Sequence, residues 1–462
     1  MTETTFAAMA RAADAAIAYR RDIVLAKTTP VASYADIFAA FAGPTPESGD
    51  DADVIIAELI DRASPGIRAS TGPRFYGWVI GNSHPTGVAA DWLSAAWGQN
   101  AANIAAAPAA SAVEAVAAGW LLDLLRLPSE ASVGFVTGAT VANFVCLAAA
   151  RSDVLRRAGW DVEADGMFGA PEVTILIGAD AHETVFSALK YLGFGTRRVK
   201  TVATDDAGRM VPSAFQAQLL SSNGPVIAIA QAGQINTGVS DPFVEIGPMA
   251  REAGAWLHVD GAFGLWAQCC PTRDRLTAGI ELADSWATDG HKWLQTPYDS
   301  GFAIVRNAEA HRRAMAISAS YLPPADGAER DPSSYVPELS RRARGFATWA
   351  MIRQLGRSGI AEMIERHCQI ATTIAKTVAA EPGAELIMAP ELNQFMLRFG
   401  DDDALTLAVV AQVQADAIAF VGASQWRGDW VMRVSVTSAA TTIDDAGITA
   451  TALISAWRKI RD

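Results

Sequence analysis

Short apolar runs alternate with stretches of helical periodicity through the middle of the chain. The runs are rich in valine, isoleucine and alanine and end at small or polar residues, which is the pattern of buried strands. Strands that alternate with helices form right-handed βαβ units, so the pattern predicts an α/β fold with a doubly wound sheet that gathers ligands at the carboxyl ends of its strands. The predicted strands are VGFVTG (133–138), VTILIG (173–178), RRVKTVAT (197–204), VIAIAQAG (226–233), AWLHVD (255–260), SWATDG (285–290) and GFAIVR (301–306).

The two ends of the chain differ from this middle part. Residues from Thr5 to about Ala63 show helical periodicity with a polar gap at 43–51, which predicts an N-terminal helical arm. A long helix is expected to begin near 341–345 and to lead into a region where the strand-like NQFMLRF and WVMRVSV flank a helix. We therefore expect a helical arm over 1–110, a large α/β domain over 111–348 and a small C-terminal α+β domain over 349–462.

The composition narrows the class of protein. The chain has 462 residues, 50% of them hydrophobic, and a formal net charge of −13, as expected for a globular protein that nucleic-acid phosphates repel. The longest apolar tract, 101–127, contains Pro108, Glu114 and Asp123 and cannot cross a bilayer cheaply, and the chain begins without the pattern of a signal peptide. The four cysteines have no CxxC spacing. We expect a cytoplasmic protein without nucleic-acid, membrane or metal partners.

Lysine is rare in this chain, with six among 37 basic residues, and one of the six is in an unusual position. Lys292 follows a predicted strand in ATDGHKWLQ, between a histidine and a tryptophan. A desolvated amine has a lowered pKa and forms a Schiff base with a carbonyl, which arginine cannot do. The alternative is an ordinary surface lysine.

A carboxylate comes at the end of the preceding predicted strand. Asp260 ends AWLHVD and is followed by Gly261 and Ala262, whose small side chains would let a flat ring lie close to the backbone while the carboxylate holds a positive ring nitrogen. Asp260 could instead cap an ordinary turn. A third interpretation makes His258 and Asp260 metal ligands, but a third ligand is missing from the pattern.

Two further features complete a set of binding groups. Residues 137–140 (TGAT) lie between a strand and a helix, where free backbone N–H groups cradle an anion; the segment lacks GxxxxGK[ST] and GxGxxG, so it suits a single phosphate. His182 follows another strand and could stack on a planar cofactor or be merely structural. A phosphate cradle, a stacking ring, an acid and a Schiff-base lysine at successive strand ends are the binding needs of pyridoxal 5′-phosphate (PLP).

The motifs HVDGA, DGHKWL and RRARG, with 32 residues from Asp260 to Lys292, resemble those of the group II pyridoxal-dependent decarboxylases, the family of aromatic-L-amino-acid and glutamate decarboxylases. The resemblance implies PLP-dependent transferase fold type I, with the aspartate-aminotransferase architecture. In this fold, the large PLP-binding domain would have a mostly parallel seven-stranded sheet. It also implies a homodimer with the active site at the subunit interface, and makes 1–110 a dimerisation segment.

The resemblance assigns roles to individual residues. Lys292 would form the Schiff base with PLP, Asp260 would pair with the ring nitrogen, and His182 would stack on the ring. The remaining contacts would be made by Ala262 on the opposite ring face, by Ala139 and Thr140 at the phosphate, and by His291 at the phosphate or the substrate.

Three positions depart from the best-known members of the family. QAGQINTG replaces a threonine run, so Asn236 or Thr237 would take the contact near the ring hydroxyl. Asp289 stands where many members have asparagine, and a carboxylate there would repel the phosphate. The family's mobile loop carries a tyrosine that protonates the product, for which Tyr335 is the nearest candidate and Tyr321 the alternative.

The expected activity is PLP-dependent decarboxylation of an L-amino acid to the amine and carbon dioxide. Tyr335 or His291 would return the proton to the α-carbon. An aromatic substrate is favoured by an aromatic cluster in the N-terminal region. A PLP-dependent C–C lyase or aldolase on the same fold is the first alternative, and a catalytically silent PLP-binding dimer is the second. The cluster consists of Phe75, Tyr76, Trp78, Trp92 and Trp97.

Overall fold

A computed structural model describes residues 3–317 and 330–462. The helices within these ranges are α1 (Glu3–Asp22), α2 (Tyr34–Phe41), α3 (Ala52–Ala63), α4 (Pro85–Ala96), α5 (Pro108–Leu124), α6 (Ala139–Arg157), α7 (Val162–Asp165), α8 (Glu183–Tyr191), α9 (Pro212–Leu220), α10 (Phe243–Glu252), α11 (Ala308–Met315), α12 (Gly345–Ala379), α13 (Asp403–Asp416) and α14 (Ile443–Arg461). The strands are β1 (Ser132–Val136), β2 (Thr174–Gly178), β3 (Val199–Val202), β4 (Val226–Gln231), β5 (Trp256–Asp260), β6 (Ser285–Asp289), β7 (Gly301–Val305), β8 (Ala384–Leu386), β9 (Gln394–Phe399), β10 (Gly422–Trp426) and β11 (Asp429–Ser435).

All seven predicted central strands form one sheet, in the order β1-β7-β6-β5-β4-β2-β3. The pairs from β6 to β3 are parallel, and β7 runs antiparallel to both of its neighbours. Every residue of six of the strands is buried, as expected for a sheet covered on both faces, and β3 at the edge is the exception. The predicted α/β fold is confirmed.

Helix α6 forms much of the core beside this sheet. Its alanine-rich sequence places small side chains against the strands, and Val145, Cys146 and Ala149 are fully buried. Small side chains let a helix approach a sheet closely, so the alanines of α6 have a packing function. The start of α6 is thereby held beside the carboxyl ends of β1 and β6.

The chain divides into two compact units. One comprises 79–372 and 387–396, and contains the seven-stranded sheet; the other comprises 1–78, 373–386 and 397–462. In the second unit, Tyr76 and Thr449 share a buried hydrogen bond of 2.9 Å, and Arg74 pairs with Asp445 at 2.8 Å. The division into 1–110, 111–348 and 349–462 stays a prediction.

The smaller sheet has the order β10-β11-β9-β8, with β8 and β10 antiparallel to their neighbours β9 and β11. Of these strands, β9 and β11 were predicted from their apolar runs. Helix α12 begins where a long helix was expected, but Gly356, with φ of +62°, interrupts it. Across the described residues, no helix has the length and apolar character needed to span a membrane.

A buried ion cluster fixes the segment that follows residue 330. Glu114 on α5 is fully buried and accepts two hydrogen bonds from Arg341, at 2.8 and 2.7 Å, and one from Arg330 at 2.9 Å. Arg341 also donates to the carbonyl of Phe135 in β1. A buried charge without its partner is costly, so these contacts tie the segment to α5 and β1.

We expect Glu114→Gln to lower the free energy of unfolding by about 3 kcal/mol, because it leaves buried arginine charge uncompensated. Equilibrium urea unfolding measures the change. The matched control on the same helix is Asp123→Asn, which breaks an exposed pair with Arg357 and should cost less than about 1 kcal/mol. Equal effects of the two substitutions would contradict this account.

Candidate active site

The predicted site residues follow strands whose carboxyl ends lie at one edge of the large sheet. In the parallel register, Gln231 of β4 lies opposite Asp260 of β5, and Asp260 lies opposite Ala287 of β6. The turn after β5 is joined to strand β6 by two main-chain hydrogen bonds of 2.9 Å, from Gly261 N–H to the carbonyl of Ala287 and from Asp289 N–H to the carbonyl of Ala262. The backbone of Ala262 therefore helps to align the strand ends that carry the two carboxylates.

Lys292 lies in the turn after β6, beside Asp289. Its Nζ is 3.1 Å from Asp289 Oδ2, and the Asp289 side chain is 3% exposed. A segment that was not expected here also approaches the turn: Asn82 N–H donates to the carbonyl of His291 at 3.1 Å. Gly81 has φ of +85°, and a Cβ on it would collide with the same carbonyl, so this contact requires glycine.

The ring of His291 is held in one orientation. Its Nδ1 accepts the Ser300 N–H at 3.2 Å, so Nε2 carries the proton and faces Asp289 Oδ1 at 3.4 Å. Burial lowers the pKa of His291, while the charge of Asp289 opposes this change. The residue is therefore a neutral imidazole whose proton points at the carboxylate.

Tyr298 is a residue of this neighbourhood that sequence reasoning missed. Its ring centroid is 4.6 Å from that of His291, and its hydroxyl donates to the carbonyl of Ile80. Partial burial, with the charge of Asp289, raises the pKa of Tyr298 and keeps the phenol protonated. The sequence feature that could have identified Tyr298 is its position shortly after the lysine motif, in LQTPYDSG.

Asp260 is buried at the end of β5 and accepts the Ala262 N–H at 3.3 Å. Burial raises the pKa of Asp260, and the charges of His182 and Lys292 oppose this rise. A positive ring nitrogen beside the carboxylate would favour its charged form further.

His258, two residues earlier on β5, has a structural environment. Its Nε2 lies 2.8 Å from Asn143 Oδ1 and its Nδ1 2.9 Å from Ser285 Oγ. Burial lowers the pKa of His258 to about 3, so the ring is neutral. Within 3–317 and 330–462, no three His, Cys, Asp or Glu side chains form a group that could hold a metal ion.

His182 is the N-cap of α8. Its Nδ1 accepts the Thr184 N–H at 3.3 Å and lies 2.8 Å from the Thr184 hydroxyl. This local anchoring fixes the ring at the carboxyl end of β2. The orientation of the imidazole ring is therefore set by contacts with Thr184 of α8.

Residues 137–140, the predicted phosphate cradle, lie between β1 and α6, and a side chain occupies part of this segment. Ala139 N–H donates to Asp289 Oδ1 at 2.6 Å. Gly138 fits tightly, since a Cβ there would lie 3.0 Å from His291 Cε1 and 3.2 Å from Asp289 Oδ1. Thr140, in contrast, is exposed and open to a ligand.

Asn236 and Thr237 belong to a closed turn after β4. Their N–H groups donate to Gln234 Oε1 at 2.6 and 3.0 Å. Gln234 Nε2 in turn lies 3.4 Å from the carbonyl of Asp180, in the turn that carries His182. Gln234, which the sequence reasoning did not single out, thus joins the two turns.

Tyr335 lies against α11. Its carbonyl accepts the His311 Nε2–H at 3.0 Å, and its ring is 4.9 Å from the Arg330 guanidinium. Among the contacts of the described residues, its side chain has none with Lys292, His291 or Asp260. Its role as the loop acid stays a prediction, and Tyr321 lies outside the described residues.

The predicted aromatic cluster has two parts. Phe75 stacks on Phe420 at 4.8 Å, and Tyr76 is almost fully buried, so both are core residues of their unit. Trp92 and Trp97, on and just after α4, are exposed.

Comparison with known proteins identifies the family. Residues 39–399 match the pyridoxal-dependent decarboxylase conserved domain. The chain is 26% identical to 4-hydroxyphenylacetaldehyde synthase from Rhodiola rosea over 416 residues, which cover 86% of this chain and 83% of the relative. It is 31% identical to L-2,4-diaminobutyrate decarboxylase from Rhizobium meliloti (strain 1021) over 319 residues, covering 68% and 62% of the two chains.

The solved structures agree on the fold. The crystal structure of Oryza sativa TDC with PLP and tryptamine superposes with a TM-score of 0.93, covering 100% of this chain and 99% of that chain at 20% identity. The chain belongs to the pyridoxal-dependent decarboxylase family. The predicted family, fold class, PLP cofactor and carboxy-lyase activity on an amino acid are confirmed.

The site residues fit this cofactor. They supply an amine at Lys292, a buried carboxylate at Asp260 and a helix N-terminus with an exposed hydroxyl at Thr140. Asp289, which accepts the Ala139 N–H, is a group whose charge opposes the phosphate.

We expect borohydride treatment of the PLP-loaded protein to abolish its visible absorbance and to leave a reduced adduct on Lys292, because only a Schiff-base lysine is trapped in this way. Peptide mass spectrometry locates the adduct. Lys292→Arg should bind no reducible chromophore, whereas Lys190→Arg, a change at an exposed lysine on α8, should behave like the unaltered protein. An adduct at another lysine would refute the assignment.

Proposed function

We propose that this protein decarboxylates an aromatic L-amino acid to the corresponding amine. Lys292 holds the cofactor covalently, Asp260 pairs with its ring nitrogen, and His182 stacks on the ring. The observation that carries the proposal is that buried Asp260 ends β5 beside β6, the strand that leads into the Lys292 turn, while Gln234 joins the turn after β4 to the turn that carries His182. The remaining proposed contacts are made by Ala262 at the opposite ring face, Ala139 and Thr140 at the phosphate, Asn236 near the ring hydroxyl, and His291 at the phosphate or the substrate.

When bound, PLP supplies an electron sink for the charge left on the substrate carbon as carbon dioxide departs. The task of Asp260 is to keep the ring nitrogen protonated. A buried carboxylate suits this task because its attraction to a positive nitrogen is only weakly screened by water. The carbonyl of Ala262 accepts the N–H of Asp289, the last residue of β6. This hydrogen bond holds the turn after Asp260 next to the turn that carries Lys292.

The proton that replaces the carboxylate needs a donor near Lys292. His291 is the predicted candidate whose ring lies in that turn, with its Nε2–H held toward Asp289 and its face against Tyr298. A neutral imidazole is a weak acid, so His291 would act by relaying a proton rather than by storing one. The contacts of Tyr335 with α11 favour His291 over Tyr335 for this role.

Substrate preference rests on the relatives and on the aromatic residues of α4. Aromatic-L-amino-acid decarboxylase from Bacillus atrophaeus is 26% identical over 77% of this chain. The proposal assigns exposed Trp92, and Trp97, which packs edge-on against Phe346 at 5.3 Å, to the aromatic side chain of the substrate. The second candidate is an aldehyde-forming reaction, in which dioxygen is reduced to hydrogen peroxide while carbon dioxide and ammonia leave. It is supported by the Rhodiola rosea relative, an aldehyde synthase, and by the packing of Tyr335, the predicted proton donor, on His311.

We expect the holoenzyme to release carbon dioxide and amine in equal amounts from tryptophan, tyrosine or phenylalanine, and much less from 2,4-diaminobutyrate or glutamate. The panel measures carbon dioxide, amine, aldehyde and ammonia, with Lys292→Arg as the inactive control. Aldehyde and ammonia in place of the amine would establish the second candidate. Aldehyde without carbon dioxide would indicate aldol cleavage, and a bound chromophore without product would indicate a silent protein.

We also propose that the protein works as a homodimer. Helices α2 and α3 bury none of their residues, yet they carry Phe38, Phe41, Ile55 and Leu59. Exposed apolar faces of this kind mark interaction surfaces, and a second copy of the chain is the simplest partner. A cytoplasmic location stays a prediction, supported by four free, buried cysteine thiols.

Sedimentation equilibrium should give twice the mass of the chain. The double substitution Phe38→Glu with Ile55→Glu should shift the protein toward the monomer, because charge is placed on the apolar faces of both helices. The control Leu220→Glu alters an exposed apolar residue at the end of α9 and should leave the mass unchanged. A monomer at all concentrations would refute the proposal.

A further inference from the structure

The carboxylate of Asp289 occupies the anion position at the N-terminus of α6. Its Oδ1 accepts the Ala139 N–H at 2.6 Å, and the same oxygen is 3.4 Å from His291 Nε2. Its Oδ2 is 3.1 Å from Lys292 Nζ. One buried side chain therefore contacts three groups that the proposed function assigns to the cofactor.

The main chain of Asp289 is fixed on both sides. Its N–H donates to the carbonyl of Ala262 at 2.9 Å, and its carbonyl accepts the indole N–H of Trp266 at 3.0 Å. Gly301 of β7 lies opposite Asp289, and a Cβ on Gly138 would lie 3.2 Å from Asp289 Oδ1. The carboxylate can therefore leave the helix terminus only by a rotation of its own side chain.

An anion is stabilised at a helix N-terminus by the free N–H groups and the helix dipole. A phosphate and a carboxylate in this buried place would compete for the same N–H and repel each other. The carboxylate also attracts the ammonium of Lys292 and holds the proton of His291, so it stabilises the site before the cofactor arrives.

We infer that Asp289 is a positioning residue that acts as an internal substitute for the phosphate: it holds Lys292 and His291 at the start of α6, and the phosphate of the cofactor must displace it from Ala139. The inference rests on the proposed function. Asp289 then lowers the affinity of the protein for the phosphate group of PLP, whereas a neutral side chain at the same position would not.

The test compares PLP with pyridoxal, which forms the same Schiff base but lacks the phosphate. Dissociation constants of both are measured on the cofactor-free protein by absorbance and by quenching of tryptophan fluorescence. The ratio of the dissociation constant of pyridoxal to that of PLP reports how much the phosphate adds to the affinity. A substitution that changes only the reactivity of Lys292 alters both constants equally and leaves the ratio unchanged.

Asp289→Asn should raise this ratio about tenfold, which corresponds to about 1.4 kcal/mol. The matched control is Asp299→Asn, which removes a carboxylate whose charge also acts on His291 but which pairs with Arg344. Its ratio should stay within about twofold of the unaltered protein, since it is not bonded to the start of α6.

An unchanged or lower ratio in Asp289→Asn, with PLP binding intact in the unaltered protein, overturns the inference and leaves the proposed function standing. Failure of the unaltered protein to bind PLP refutes the proposed function instead. Circular dichroism of the cofactor-free variants checks folding, and Asp289→Ser provides a second neutral side chain for which the same rise is expected.

Discussion

The burial of two carboxylates at the ends of adjacent parallel strands is the constraint on which the rest of the site depends. Asp260 and Asp289 end β5 and β6, and each is almost inaccessible to water. Buried negative charge requires positive or hydrogen-bonding partners. The partners of Asp289 are the Lys292 amine, the His291 ring and the Ala139 N–H. The proposed function assigns the same three groups to the cofactor, so the groups that stabilise the buried carboxylate are also those proposed to bind PLP.

Much of the fold was predictable because it follows from local patterns. The strands of the large sheet are continuous apolar runs, and burial on both faces makes such runs necessary. Strands β8 and β10 were missed because β8 is three residues long and partly exposed and β10 reads GASQW, without an apolar run. The break of α12 at Gly356 was missed as well, because glycine within a helical pattern does not by itself indicate a left-handed residue.

The candidate site was predictable in its residue types but not in its contacts. Lys292, Asp260 and His182 could be selected because each follows a strand, and strand ends of a parallel sheet meet at one edge. That Asp289 would accept the Ala139 N–H could not be read from the sequence, since the two positions are 150 residues apart. The same holds for Tyr298 and Gln234, whose roles arise from turn geometry, and for the packing of Tyr335 on His311.

The close approach of Gly81 to the carbonyl of His291 has a mechanical consequence. Asn82 and His84 are bonded to the backbone on either side of the lysine, through the carbonyls of His291 and Gln295. The stretch before α4 and the lysine turn are thus joined by two main-chain hydrogen bonds, of 3.1 and 2.9 Å. A movement of the lysine turn that widens access to the amine must either move this stretch as well or break both hydrogen bonds. Ligand entry is thereby coupled to a part of the chain more than 200 residues away in sequence.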